Sequence, residues 1–298
     1  MNPADSNFVE CVEPRERTRD RSLLIPAVLL TILIGILYRG VLVGMVEDWI
    51  KDPNFSHGFL VVPFSALVVW QGRKKLAKLR LEPSWFGLAV IALSLAMLIV
   101  GVLGVEYFLQ RSSLVFLMAG LIIYFLGWRH FRAVLFPWVF LFLMIPIPAI
   151  VYNQIAFPLQ TLAARMATSL LSLAGVPVLR DGNVIRLPAV SLEVAQACSG
   201  IRSLMSLGAL AVVYGYLLEP RALRRAALTL AAIPIAVAAN GLRVMGTGLV
   251  GYYWDPDKAE GFFHTFSGWV IFVASTMMLF GLHGLISWIG SWRKHTQG

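Results

Sequence analysis

The chain has 298 residues, 58% of them hydrophobic and 14% charged, with a mean hydropathy of +0.75. A soluble domain carries about 25% charged residues, so the composition excludes one and describes a helical protein built into a membrane. The net charge of +9 does not point to nucleic acid, because the lysines and arginines gather in short segments between apolar runs, where membrane topology is set.

Residues 1–21 are polar and end in Arg15-Glu16-Arg17-Thr18-Arg19-Asp20-Arg21, which reads as a disordered cytoplasmic tail with an orientation signal. A hydrocarbon core takes about 20 helical residues to cross, and the apolar runs predict about eight spans: 23–46, 59–71, 85–105, 112–128, 133–151, 199–218, 226–252 and 267–289. The first run is too long for a cleaved signal peptide and has no clear small-residue cleavage site. None of the runs alternates as barrel strands do. The fifth is expected to break near Pro146 and Pro148.

Between the fifth and sixth runs lies a long connection. Its first part, 154–173, is amphipathic and reads as a helix at the membrane interface, or a re-entrant one. Its second part holds two β-prone runs, 176–180 and 183–187, around Asp181-Gly182, a hairpin signal. A third short strand is expected at 190–194. Strand edges do not survive in lipid, so this ribbon belongs outside the hydrocarbon. With eight spans, the basic segments at 15–21, 73–80, 129–132, 221–225 and 293–295 fall on one side, which places both termini in the cytoplasm and the loops 47–58, 152–197 and 254–266 opposite. The expected fold is therefore all-α and polytopic. A membrane domain over 22–292 carries a small β-ribbon and interfacial helix on the extracytoplasmic side, and 293–298 form a short cytoplasmic tail.

Two cysteines, Cys11 and Cys198, make no disulfide framework, and the first lies in the cytoplasmic tail. Cys198 stands where the ribbon meets the sixth span. A free cysteine is commonly apolar filler, but a helix start lowers a thiol's pKa, and Arg202 lies one turn on, on the same face. Ser199 is a rival nucleophile or a helix cap. Arg243 lies within an apolar run, where an arginine is costly and so a functional candidate; Asn240, three residues earlier, shares its face. His264 lies between Phe263 and Phe266 at the outer surface. Topology thus brings a thiol, a guanidinium and an imidazole to one membrane level, a set suited to acyl transfer. His57 and Glu193 face the same side, and each reads equally as a structural residue. There is no zinc-protease, thiol-exchange or phosphate-loop motif, so no cofactor or metal is expected.

The strings Ala197-Cys198-Ser199-Gly200-Ile201-Arg202-Ser203 and Asn240-Gly241-Leu242-Arg243, with His264 before the last span and Ser56-His57-Gly58-Phe59-Leu60 near the start, resemble the exosortases. These are polytopic cysteine transpeptidases related to the archaeosortases. The resemblance covers about residues 22–292 and implies a catalytic triad of Cys198, Arg243 and His264. It implies as substrates exported proteins with a C-terminal signal: a short motif, often Pro-Glu-Pro, then a transmembrane helix and a basic tail. Cleavage would pass through a thioester on Cys198, with transfer to an amine acceptor or water. The setting would be the inner membrane of a Gram-negative bacterium, often beside exopolysaccharide export, with the site on the periplasmic side. Membrane lipid is the other expected contact, and nucleic acid is not. A transport or assembly subunit for an exported polysaccharide, with Arg243 on an anion path, is the alternative reading.

Overall fold

A computed structural model describes residues 21–188, 191–194, 200–254 and 262–295, with side chains over 25–288 of these except 262–265. The expected tail lies outside this description apart from Arg21, which starts the first helix.

Apolar runs form helices because a helix is the one open-chain structure that satisfies its own backbone in lipid. The helices in order are α1 (Arg21–Leu37), α2 (Arg39–Lys51), α3 (Gly58–Leu76), α4 (Phe86–Leu103), α5 (Tyr107–Phe125), α6 (Trp128–Ala133) and α7 (Leu135–Phe140). A 3₁₀ turn, Leu141–Met144, and α8 (Ala149–Leu173) follow. After a three-stranded ribbon come α9 (Ile201–Leu218), α10 (Ala222–Tyr253) and α11 (Phe262–His295). Five helices are long and apolar enough to cross a membrane, and up to seven spans result if each of two bent pairs is one span. α3 falls outside that set because its last turn carries Arg73, Lys74 and Lys75. The expected eight is reached only with α3 included.

One apolar run is not the straight span expected, and another breaks where its prolines predict. The first bends by 62° between α1 and α2. Tyr38 sits at the bend, fully buried, with its hydroxyl 3.0 Å from Ser113 Oγ of α5. The run 133–151 bends by 81° between the 3₁₀ turn and α8. Ile145 is extended there, as a residue before proline prefers, and α8 starts after Pro148. The helix read as interfacial from residue 154 thus begins at Ala149 and packs along α10.

α4 and α5 form a tight antiparallel pair. A Cβ at Gly87 would lie 2.3 Å from the backbone of Tyr124, so only a glycine permits this approach. α10 is the hub of the second half, packed against α8, α9 and α11. Its buried positions Leu228, Ala232, Ile235, Ala236 and Ala239 recur at helical spacing. α9, α10 and α11 also meet at a polar cluster. Glu219, just past α9 and only 4% exposed, accepts from His283 Nε2 at 3.1 Å and from Arg224 Nη1 at 3.4 Å. Tyr214 Oη lies 2.7 Å from His283 Nδ1, which accepts its proton when Nε2–H faces the carboxylate.

The ribbon forms as its turn chemistry requires. β1 (Leu179–Asp181) and β2 (Val184–Arg186) pair antiparallel around Gly182, whose φ is +62°. β3 (Ser191–Glu193) pairs with β2, Ile185 opposite Leu192. The buried face, Ile185, Leu192 and Val194, packs with Ala164, Ala167 and Leu171 of α8 and Val244 of α10. The ribbon is thus docked on the helices next to the start of α9.

Candidate active site

The start of α9 is held by one close approach. Gly200 caps the helix in the left-handed region, φ +79° and ψ −3°, where residues with a side chain are disfavoured. A Cβ there would lie 2.8 Å from Asn240 Cγ and 2.9 Å from its Cβ. The backbone of Gly200 therefore rests directly on the Asn240 side chain of α10. Ile201, 1% exposed, anchors the next residue against Tyr152 and Ala156 of α8.

Asn240 is 2% exposed, and Arg243, three residues on, is 8% exposed. The guanidinium of Arg243 lies against α11: a Cβ on Gly268 would stand 3.4 Å from its Cζ and Nη2. The planar cation therefore packs beside the last helix at van der Waals distance from this position. On α9, half-buried Arg202 donates from Nε to Asn54 Oδ1 at 3.4 Å. Asn54 belongs to the 52–57 loop, in which its backbone N–H donates to Asp52 Oδ1.

These pieces enclose a cleft of about 320 Å³ whose walls include Ser56, Arg202, Ser203, Arg243, Gly268 and Trp269. Among the described residues two guanidinium groups and no carboxylate line it. A second, apolar cavity of about 570 Å³ adjoins it, lined by Leu60, Phe64 and Leu67 of α3 and Ala209 and Val213 of α9. Ser56, Ser206 and Phe272 line both.

Of the expected residues, the structure brings Arg202 and Arg243 to the cleft wall, and Asn240 lies against Gly200 and not on that wall. Cys198 lies outside the described residues, two positions before Gly200. His264, expected in a loop, falls in the first turn of α11. Its position is one turn before Gly268, on the same helix face; its side chain is outside the description. His57 does not line the cleft. It is buried at the head of α3, lines the apolar cavity, and donates from Nε2 to the Leu143 carbonyl at 2.9 Å. Burial pushes its pKa below the ordinary value, so the ring is neutral. Glu193 is exposed on β3 and is not part of the cleft wall. Asn54, Ser203 and Gly268 were not singled out from the sequence. Nothing in a polar loop residue or an isolated glycine announces which guanidinium it will meet. Among the described residues no group of three His, Cys, Asp or Glu is placed to hold a metal.

A helical multi-pass bundle with a cation-lined cleft at the junction of the 52–57 loop and three helices defines a membrane protein with a polar site built on α9, α10 and α11. A family model described as transmembrane exosortase (Exosortase_EpsH) matches residues 49–281, which include every element of that cleft. The chain belongs to the transmembrane exosortase family, which supports a membrane sorting or transpeptidase role in general. Comparison with curated proteins and with solved structures returned no match.

Proposed function

We propose that the chain is a cysteine peptidase and transpeptidase that cuts the C-terminal sorting signal of exported proteins. In this reading the Cys198 thiolate attacks the scissile carbonyl carbon. The negative charge passing to the carbonyl oxygen is met by Arg243. His264 protonates the departing amine, which leaves as the C-terminal fragment, and a thioester joins the substrate to Cys198. An amine acceptor or water then attacks the thioester, loses its proton to His264, and releases the thiolate. The substrate carries a short motif such as Pro-Glu-Pro, a transmembrane helix and a basic tail. The enzyme lies in a bacterial inner membrane with both termini cytoplasmic and the cleft periplasmic.

What supports this reading is that Arg202 and Ser203 of the cysteine string line one cleft with Arg243 and Gly268. Gly200 rests on Asn240, and Arg243 rests on Gly268, one turn from position 264. The start of an 18-residue helix also favours a thiolate nearby.

The test is full-length enzyme in vesicles with a tagged sorting-signal substrate. Cys198→Ala abolishes processing while insertion is retained, and intact mass of a trapped wild-type reaction shows substrate joined to Cys198. Normal processing by Cys198→Ala, with altered polysaccharide export in Arg243 variants, would favour the transport reading instead.

A further inference from the structure

The cleft holds a second cation that this chemistry leaves unused. Arg202 is half-buried one turn above Ser206, which lines both the cleft and the apolar cavity. Its one described partner is neutral: Asn54 Oδ1 takes the Nε–H at 3.4 Å. A guanidinium has five N–H donors in a rigid fork. Arg202 lines the cleft with Nε taken up by Asn54, and a guanidinium's two terminal nitrogens can grip a carboxylate by both oxygens. No carboxylate among the described residues lines that space.

The adjoining apolar cavity follows α3 from Leu60 to Leu67, about 10 Å at 1.5 Å per residue. That is roughly a third of the thickness of a hydrocarbon core. Its polar contribution is limited to Ser56, His57 and Ser206. Cleft and cavity together fit an apolar segment that ends in an acidic residue at the membrane surface.

We propose that Arg202, oriented by Asn54, is a specificity-determining residue that binds a carboxylate on the substrate chain, where an apolar substrate helix seated in the adjoining cavity emerges into the cleft. The inference rests on the peptidase reading. A site that must present a peptide bond to a nucleophile takes its acid from the peptide and not from a lipid headgroup.

The experiment uses full-length enzyme in phosphatidylcholine vesicles. Two synthetic peptides are compared, Pro-Glu-Pro or Pro-Gln-Pro ahead of one apolar helix and an arginine tail. Wild type prefers the Glu peptide in kcat/KM by about 10- to 100-fold, as expected of a charge-assisted pair. Arg202→Gln brings the ratio close to one, and Arg202→Lys, which keeps the charge and loses the fork, gives an intermediate ratio. Asn54→Asp, which sets a competing carboxylate on Nε, lowers the preference as well. Peptide Kd values measured on the Cys198→Ala enzyme follow the same order without turnover. Persistence of the full preference in inserted Arg202→Gln overturns the inference. So does equal use of both peptides by wild type, including the case in which phosphatidylglycerol inhibits only while Arg202 is present, which would make this a lipid site. If wild type processes neither peptide through Cys198, the peptidase reading itself falls and takes this inference with it.

Discussion

Gly200→Ala tests the central contact of the site. The new Cβ would lie 2.8 Å from Asn240 Cγ, closer than packed carbons tolerate. Asn240 is 2% exposed in the middle of α10 and has no room to swing away. Overpacking of this kind costs about 1–3 kcal/mol. The left-handed conformation at φ +79° adds about 1–2 kcal/mol for a residue with a side chain. Relief comes by shifting the start of α9, and with it the residues just before Gly200. A displacement of about 1 Å at a reacting group costs on the order of 100-fold in rate. The expected outcome is enzyme that inserts, has a lower apparent Tm in detergent, and loses about 100-fold in kcat/KM on a tagged substrate. Gly200→Asn separates the two causes, because asparagine tolerates the left-handed region yet carries the same Cβ. It is expected to remain strongly defective. Gly200→Ala that keeps half or more of wild-type processing would refute the reasoning.

Other outcomes follow from single contacts. Arg243→Gln, in protein shown to be inserted, loses about 100- to 1,000-fold in kcat, as removal of an oxyanion donor does; a change confined to KM would place Arg243 in binding instead. His57 has a folded pKa below its ordinary 6.5. The unfolded chain therefore binds the extra proton first, and the stability this neutral ring contributes is present above pH 6.5 and lost as pH falls below it. Apparent Tm of wild type falls across that window, and His57→Gln flattens the slope; parallel slopes would count against a buried neutral His57. Burial pushes the Glu219 carboxyl up, but hydrogen bonds and charge from His283 and Arg224 hold it below the usual value. Its contribution is present above pH 4.5 and lost as pH falls through the depressed pKa. His283→Ala removes one of two partners from a carboxylate 4% exposed, with Arg224 remaining at 3.4 Å, and destabilises by about 1–3 kcal/mol, whereas His283→Ala with Glu219→Gln costs less in a chemical-denaturation series. Replacing Asp181-Gly182 by Val-Val disrupts the turn at φ +62° and lowers stability; if processing persists unchanged, the ribbon plays no part in substrate docking.

Much of the bundle was legible along the chain because lipid imposes a simple demand. Uncharged runs of about 20 residues must be helices, and α4, α5, α9, α10 and the last helix fall where such runs lie. The ribbon was legible through Asp181-Gly182, since few residues accept the backbone such a turn needs. The bends at Tyr38 and at Ile145–Pro148 carry no hydropathy signal of direction; a run has the same apolar content straight or folded by 81°.

At the site, Arg243 stood out because an arginine in an apolar run is costly, and Cys198 because it begins one. Rarity along the chain selects such residues without reference to their neighbours. What the sequence by itself determined was the medium, the helices, the ribbon and the residue types available for chemistry, each a matter of local cost in lipid or water. Only the tertiary structure decided that Gly200 rests on Asn240, that the Arg243 guanidinium lies against Gly268, and that Arg202 meets Asn54. Those pairings join residues 40, 25 and 148 positions apart, and close packing between helices, unlike hydropathy, is a property of two surfaces at once.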